Sequence, residues 1–298
     1  LSSDDAFSGD SFFGGGGGGG GGYCHRDGEE HFVGLNTKCA SIVNRDAGLA
    51  LTNAELFNLR YYLASEPWTY VPPADTCRPD RAATQGRTHA GVTPQMFAKL
   101  NAGVLWWNYQ GHANEYVLTH ENLYVNSGDT PSGDDKYLFA NPGRPLLFSA
   151  FSCHANMFAR NDAGPGTPLG GCLGEEMVTL PQGGAIAACA STGYEIVPRD
   201  ESTHVNVELA RSLFSDPPVD EFVPGDRGAR VVLGEAIQAT LLRYVPTGGQ
   251  YYGEQGIALS YTLLGDPATR MSIGRPQTLV TANDVPVTEG IPVRVHTP

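Results

Sequence analysis

Three runs of this sequence are apolar and contain no charged residue: VLWWNY at residues 104–109, PLLFSAF at residues 145–151 and GAIAACAS at residues 184–191. Unbroken apolar strands of this length are typical of parallel sheets that are covered on both faces. Segments with helical periodicity separate the runs along the chain. We therefore predict an α/β fold with a mainly parallel sheet flanked by helices.

Two of the predicted helices begin with recognisable capping signals. Thr52 is followed three residues later by Glu55, which is the spacing of a capping box, and Thr93 is followed by Pro94, an N-cap before a proline at the first helical position. The predicted helices span residues 52–65, 93–100, 119–124, 170–179, 205–214 and 231–244.

The two ends of the chain differ in character from its middle. A run of nine glycines at residues 14–22 has no side chains to bury, so we expect residues 1–30 to be a flexible Gly-rich segment. Residues 31–274 carry the α/β pattern and form the predicted main domain. Short β-prone pieces at residues 277–282 and 291–295 predict that residues 275–298 begin a small β domain.

The charge balance and the cysteines exclude several classes of protein. The chain has 19 Lys and Arg against 32 Asp and Glu, a net charge of −13, which argues against nucleic-acid binding. No apolar run reaches the roughly 18–20 residues of a membrane span, so we expect no transmembrane segment. The six cysteines contain no CxxC pair, which argues against a zinc ribbon, and their scatter fits an oxidising compartment.

The pairing of the cysteines stays open at this stage. Cys24 and Cys39 could form a disulfide, with Cys77 or Cys172 as competing partners, because connectivity cannot be deduced from sequence. Cys189 lies within an apolar run and is interpreted as a buried thiol.

Reactive side chains follow two of the predicted strands directly. One strand runs into Gln110-Gly111-His112 and another into Ser152-Cys153-His154. In an open parallel sheet, ligands bind outside the carboxyl ends of the strands, so His112 and Cys153 converge if their strands are neighbours. A thiolate is a strong nucleophile, and an imidazole beside it can lower its pKa or protonate a leaving group. The alternative is that Cys153 is a small buried hydrophobe and His112 a surface loop residue.

Longer stretches around these residues resemble a known peptidase family. The segment NAGVLWWNYQGHANEYVLTHENLY is similar to the histidine motif of the gingipain-type cysteine peptidases, family C25, and RPLLFSAFSCHANMF is similar to their cysteine motif. The flanking pieces GVTPQ, GGAIAACAST, LGEAI and LLGDPATRM agree in order. The resemblance covers residues 40–273.

The resemblance implies a caspase-like α/β fold followed by the start of an immunoglobulin-like domain. It also implies a cysteine endopeptidase in which Cys153 is the nucleophile, His112 is the general base or acid, and the backbone amides of Ala113 and Cys153 stabilise the oxyanion. The family usually has Gly at the position of Ala113. The segment of residues 69–89 is shorter than in relatives, and Asp75 is its candidate for the acid that orients His112.

A substrate pocket and a metal site are two further predictions. The substrate pocket is expected to be lined by Gln110, Tyr194 and Glu195, and a carboxylate at Glu195 could favour Arg or Lys before the scissile bond. No cofactor is required. The carboxylates of the loop that contains Asp129, Asp134 and Asp135 could hold a structural Ca²⁺ ion, and the alternative is a solvated acidic loop.

The expected partner is a protein or peptide substrate, and the expected location is secreted or on a bacterial cell surface, with an association with a secretion system. Two alternatives stay open. A thioester intermediate could pass to an amine instead of water, which is sortase-like transpeptidation, or the chain could be an inactive structural or interaction protein built on a peptidase fold.

Overall fold

A six-stranded sheet, in the order β2-β1-β3-β6-β7-β9, forms the centre of the fold. The structure is a computed structural model that describes residues 2–3, 26–45, 57–58, 92–119, 122–126, 134–159, 171–195, 204–215, 231–247, 258–271, 281–282 and 285–286. The strands are β1 (Ser2–Ser3), β2 (Phe57–Asn58), β3 (Trp106–Gln110), β4 (Val117–Leu118), β5 (Tyr124–Val125), β6 (Leu146–Phe151), β7 (Ala185–Ser191), β8 (Val231–Val232), β9 (Tyr261–Gly265), β10 (Arg270–Met271), β11 (Thr281–Ala282) and β12 (Val285–Pro286).

All pairings in the sheet are parallel except that of β9, which runs antiparallel to β7. The helices are α1 (Arg26–Arg45), α2 (Val92–Gly103), α3 (Leu173–Thr179), α4 (Val205–Ala210), which continues into a π-helical turn at Arg211–Ser215, and α5 (Leu233–Thr247). The predicted α/β class with a mainly parallel sheet is confirmed, and the three apolar runs form β3, β6 and β7.

Both faces of the sheet are covered, because alternate residues of each strand point to opposite sides. Trp106 of β3 packs in one core with side chains of α1, α4 and α5. Its neighbour Trp107 packs in the other core with side chains of α2 and α3. Burial on both faces explains why these strands read as continuous apolar runs instead of alternating patterns.

The prediction of a helix at residues 119–124 is wrong. The chain forms an antiparallel hairpin of β4 and β5 there, and Thr119 and Asn122 at its turn have φ of 66° and 58°. These left-handed conformations interrupt a helix, and Asn is one of the residues that tolerates them. Thr119 also donates its backbone N–H to the His112 carbonyl, so the hairpin packs back on the chain that follows β3.

The helix predicted at residues 52–65 is wrong where the structure describes it. Phe57 and Asn58 form β2, which pairs in parallel with Ser2 and Ser3 of β1. Pairing at the edge of the sheet overrides helical propensity here, because propensity is only a weak determinant of structure. The rest of residues 52–65 lies outside the described residues.

The ends of the chain are described only in part. Ser2–Ser3 pairs with β3, and the glycine run lies outside the described residues. Near the other end, β11 pairs with β12, while residues 291–295 lie outside the described part, so the immunoglobulin-like domain and the domain boundaries stay predictions. Within the described residues, no helix is both long enough and apolar enough to cross a membrane.

Candidate active site

The two predicted catalytic residues follow adjacent strands at the same edge of the sheet. β3 and β6 pair in parallel, and their last residues, Gln110 and Phe151, are register partners. The Gly111 N–H donates to the Phe151 carbonyl at 3.3 Å, which extends the pairing by one step. His112 and Cys153 each come two residues after a register partner, so the fold brings both to the carboxyl end of the sheet, where α/β proteins bind ligands.

Contacts from three directions hold His112. Gly111 before it has φ of 153°, a backbone conformation open almost only to glycine. The His112 carbonyl accepts hydrogen bonds from the Tyr109 hydroxyl at 2.5 Å and the Thr119 N–H at 2.9 Å. Its ring meets the ring of Phe32 edge to face, with centroids 5.4 Å apart. Helix α1 therefore supplies an aromatic contact that orients the imidazole, and the sequence reading did not anticipate it.

The backbone amide of Ala113 is directed away from the local hairpin. Ala113 forms a bridge with Leu118, and the flanking hydrogen bonds are donated by Asn114 to Val117 and by Thr119 to His112. In such a non-hydrogen-bonded pair, the N–H of Ala113 points to the opposite side of the ladder. This geometry is compatible with the predicted oxyanion role, and the Ala side chain does not alter it.

A loop after β7 holds Cys153. The half-buried Cys153 Sγ accepts a hydrogen bond from the Glu195 N–H at 3.3 Å and lies 3.8 Å from the Glu195 carbonyl oxygen. The next residue, His154, has a left-handed φ of 57°, and its N–H donates to the Gly193 carbonyl at 2.9 Å. The chain therefore turns sharply after Cys153. Among the described residues, the hydrogen bonds of Sγ are with the backbone N–H and carbonyl of Glu195.

The surroundings of Cys153 raise the pKa of its thiol. Burial is the largest cause and the negative charge of Glu195 adds to it, while the hydrogen bond from the Glu195 N–H acts in the opposite direction. The resting sulfur at neutral pH is therefore the neutral thiol.

The three predicted pocket residues have different surroundings. Gln110 is fully buried; its amide donates to the Phe151 carbonyl at 3.0 Å and accepts from Asn206 at 3.1 Å. Tyr194 is 69% exposed, and its ring lies 4.4 Å from the ring of His154. The side chain of Glu195 is buried behind Cys153, as described below. The assignment of these residues to a substrate pocket stays a prediction.

Other predicted site residues are described only in part. Asp75 and Asp129 lie outside the described residues. Asp135 accepts a hydrogen bond from the Val125 N–H at 2.8 Å and, like Asp134, is buried. No group of three or more His, Cys, Asp or Glu side chains within the described residues could hold a metal ion, so the Ca²⁺ site stays a prediction.

The described cysteines are free thiols. Cys39 is buried and directs its thiol to the Asn206 side-chain oxygen at 3.3 Å. Cys172 is also free, so a disulfide at Cys39 or Cys172 is not formed in this structure. Burial raises the pKa of Cys39 to about 12 and that of Cys189 to about 12, and it raises the pKa of Cys172 to about 11. The interpretation of Cys189 as a buried thiol is confirmed.

The sequence reading missed His204 and Tyr261, which lie behind Cys153. Both rings contact Phe151, with centroid separations of 5.9 Å for His204 and 5.4 Å for Tyr261. His204 precedes α4 and caps it, since its Nδ1 accepts from the Asn206 N–H at 3.1 Å. A polar N-cap before a predicted helix was a usable signal for His204, whereas nothing near Tyr261 in the sequence marks it.

Comparisons with known proteins agree with this architecture. The sequence model of peptidase family C25 matches residues 17–272. The fold is similar to the crystal structure of the Arg-specific cysteine proteinase gingipain R (RgpB), at 13% identity and a TM-score of 0.51, covering 93% of this chain and 48% of that one. The complex of the Porphyromonas gingivalis RgpB pro- and mature domains gives 13% identity and a TM-score of 0.49, covering 93% and 49%.

The chain spans about half the length of these gingipain structures, and no curated protein matches it. The low identity means that the structural likeness establishes a gingipain-like α/β fold, not a substrate. The match to the family model is stronger evidence of family than the structural likeness. It extends over far more than half of the chain and includes the ends of β3 and β6. The chain belongs to peptidase family C25.

Proposed function

We propose that the chain is a cysteine endopeptidase in which Cys153 is the nucleophile and His112 the general base and acid. The observation that carries this proposal is the register pair of Gln110 and Phe151, since it brings an imidazole and a thiol to one edge of the sheet. Membership of a peptidase family supports the same class of reaction.

Acylation begins from the neutral thiol, because burial raises the pKa of Cys153. His112 accepts the thiol proton as the sulfur forms a bond to the substrate carbonyl carbon, and the carbonyl electron pair moves to the oxygen. The amides of Ala113 and Cys153 donate to this oxyanion. The carbon–nitrogen bond then breaks, His112 returns its proton to the leaving amine, and a thioester to Cys153 remains.

Deacylation repeats these roles with water. His112 removes a proton from water as the water oxygen attacks the thioester carbon, and the same amides stabilise the second oxyanion. The carbon–sulfur bond breaks, the acid product leaves, and the proton returns to sulfur. His112 and Cys153 make no direct hydrogen bond among the described contacts of Sγ, which is common in ligand-free sites that tighten on substrate.

The proposal also covers the substrate, the residue that orients His112 and the location of the protein. The substrates are proteins or peptides, Asp75 orients His112, and the protein acts outside the cell or on a bacterial surface in association with a secretion system. The resemblance to gingipain-type peptidases supports these points.

Hydrolysis of a mixed quenched-fluorescence peptide library tests the proposal. We expect the reduced wild type to cleave the library, Cys153→Ala to lose this activity, and the buried-thiol control Cys189→Ala to keep it. Cleavage by Cys153→Ala at the wild-type rate would contradict the proposal. Products joined to an added amine instead of hydrolysed would assign transpeptidation, and they would be identified by mass spectrometry.

A further inference from the structure

The N–H and the carbonyl of Glu195 both lie close to the sulfur of Cys153. The Glu195 N–H donates to Sγ at 3.3 Å, and the carbonyl of the same residue lies 3.8 Å from it. An N–H donor stabilises a thiolate, whereas a carbonyl accepts the proton of a thiol. The position of this one residue therefore affects which form of the sulfur is favoured.

The side chain of Glu195 is anchored in the interior behind Cys153. It is 2% exposed, and its Oε1 accepts a hydrogen bond from the Tyr261 hydroxyl of β9 and lies 3.4 Å from His204 Nε2. His204 Nδ1 accepts from the Asn206 N–H, so the proton of the neutral ring is on Nε2, facing the carboxylate. Burial raises the pKa of Tyr261 well above its usual value, and the Glu195 charge adds to this effect, so Tyr261 stays a donor.

Among the described residues, the backbone–backbone hydrogen bonds of the loop after β7 are made by Thr192 and Gly193, and not by Glu195. Thr192 donates to the Ser260 carbonyl at 2.8 Å, and Gly193 accepts from the His154 N–H at 2.9 Å. Tyr194 is exposed, and its ring contacts that of His154 at an interplanar angle of 55°. Among the described residues, Glu195 is held by its own carboxylate and by Cys153. Within this described part of the chain, the carboxylate is the anchor that holds the Glu195 N–H toward Cys153.

We propose that Glu195 is a positioning residue for the nucleophile: its carboxylate, held by Tyr261 and His204, keeps its own backbone N–H on the sulfur of Cys153. The inference rests on the proposed peptidase function for its role in catalysis, and on geometry alone for its effect on the thiol. Phe151 packs against both anchoring rings, so the anchors contact the end of the strand that leads into Cys153.

The charge of Glu195 opposes the effect of its N–H, and the test must separate the two. The carboxylate raises the pKa of Cys153 while the N–H lowers it. In the part of the chain that the structure describes, the titratable groups that face the carboxylate are Tyr261 from β9, His204 before α4 and Cys153 after β6. Any variant of Glu195 that removes the charge therefore needs a partner variant that removes the same charge but keeps the anchor.

Glu195→Gln and Glu195→Ala form this matched pair. Both lack the charge, but the Gln carbonyl still accepts from Tyr261 and His204, whereas Ala has no anchor. The readout is the rate of alkylation of Cys153 by iodoacetamide from pH 6 to 10, followed by mass spectrometry of the Cys153 peptide. We expect Glu195→Ala to react about tenfold more slowly than Glu195→Gln at pH 7, the size expected for loss of one hydrogen bond to a charged group.

Two further variants keep the test decisive. Tyr261→Phe retains the charge and removes one anchor, so it should react several-fold more slowly than the wild type. Glu208→Gln neutralises a buried carboxylate on α4 that bonds Arg211 instead, so it should leave the profile unchanged. Equal rates for folded Glu195→Gln and Glu195→Ala would overturn the proposal; if Glu195→Ala does not fold, equal rates for Tyr261→Phe and wild type would do so.

Activity measurements then separate this inference from the proposed function. Glu195→Ala should lower kcat about tenfold relative to Glu195→Gln with little change in KM, because the anchor acts on the nucleophile and not on substrate binding. Alkylation requires no peptide substrate. A protein that alkylates as expected but cleaves no peptide would contradict the proposed function and leave the positioning role of Glu195 supported.

Discussion

Gln110 and Phe151 are register partners in adjacent parallel strands, and each is the last residue of its strand. Gln110 also donates its side-chain amide to the Phe151 carbonyl at 3.0 Å, so the two strand ends are joined by side chain as well as by backbone. His112 and Cys153 start from this common level. The relative placement of the proposed base and nucleophile is thus a property of the sheet, not of two independent loops.

His112→Ala should lower kcat/KM by about 10³-fold, within the usual range for loss of a general acid–base group. The measurement is steady-state hydrolysis at saturating reductant across pH 6 to 9. His154→Asn is the matched control: His154 is next to the nucleophile, and Asn accepts the left-handed backbone that His154 adopts. A loss as large in His154→Asn as in His112→Ala would assign the imidazole role to the wrong residue.

The protein should lose stability as the pH rises above 9. Burial raises the pKa of Cys39 and Cys189 to about 12 each, so the unfolded thiols ionise near pH 9 while the folded ones stay neutral. A raised pKa contributes stability below the unfolded value and loses it above, at up to about 1.4 kcal/mol per pH unit for each thiol. Urea unfolding at pH 8 to 10.5 measures this slope.

Cys189→Ala should make that alkaline slope shallower, since it removes one of the ionising thiols. A slope identical to that of the wild type would mean that Cys189 is not shielded from solvent as its burial in β7 indicates.

Gly174→Ala should destabilise the fold by about 1–3 kcal/mol, the usual cost of overpacking. A Cβ at Gly174 would lie 1.7 Å from the Asn156 side-chain oxygen, and Asn156 bonds the Thr262 carbonyl at 2.9 Å. Because Asn156 follows Cys153 closely, activity should fall as well. Gly143→Ala is the control, with no atom within 4 Å of its Cβ, and it should cost only the strain of its φ. Thermal unfolding and hydrolysis rates compare the two; equal losses would contradict the packing argument.

Glu195→Gln should leave the preference for the residue before the scissile bond unchanged. The carboxylate is buried and committed to Tyr261 and His204, so it is not presented to substrate. Profiling wild type and variant with one positional peptide library measures this. Loss of a preference for Arg or Lys in the variant would show that Glu195 reads the substrate directly, as its sequence position first suggested.

The α/β fold and the positions of His112 and Cys153 at its strand ends could be predicted from sequence for one physical reason. Strands that are buried on both faces carry no charge, so their ends are easily located, and His112 and Cys153 come directly after two of them. The hairpin after His112 was mistaken for a helix because its short apolar period is ambiguous, although Asn122 carried a turn signal.

The contacts behind the thiol could not be predicted in this way. Glu195 was identified as close to the site, but the direction of its carboxylate depends on Tyr261, which is 66 residues further along the chain. Likewise, Phe32 reaches His112 from α1, a helix whose position is fixed only when the sheet is assembled. Contacts of this kind depend on tertiary packing and leave no local pattern.

Covalent labelling by a mixture of peptidyl acyloxymethyl ketones tests the central claim most directly. These probes place a carbonyl beside the nucleophile, which forms a thioether as a carboxylate leaves. Mapping by tandem mass spectrometry should find the adduct on Cys153 alone among the six cysteines, with labelling at least about 100-fold slower in His112→Ala. Adducts spread over several cysteines, or labelling of Cys153 at an unchanged rate without His112, would contradict the account.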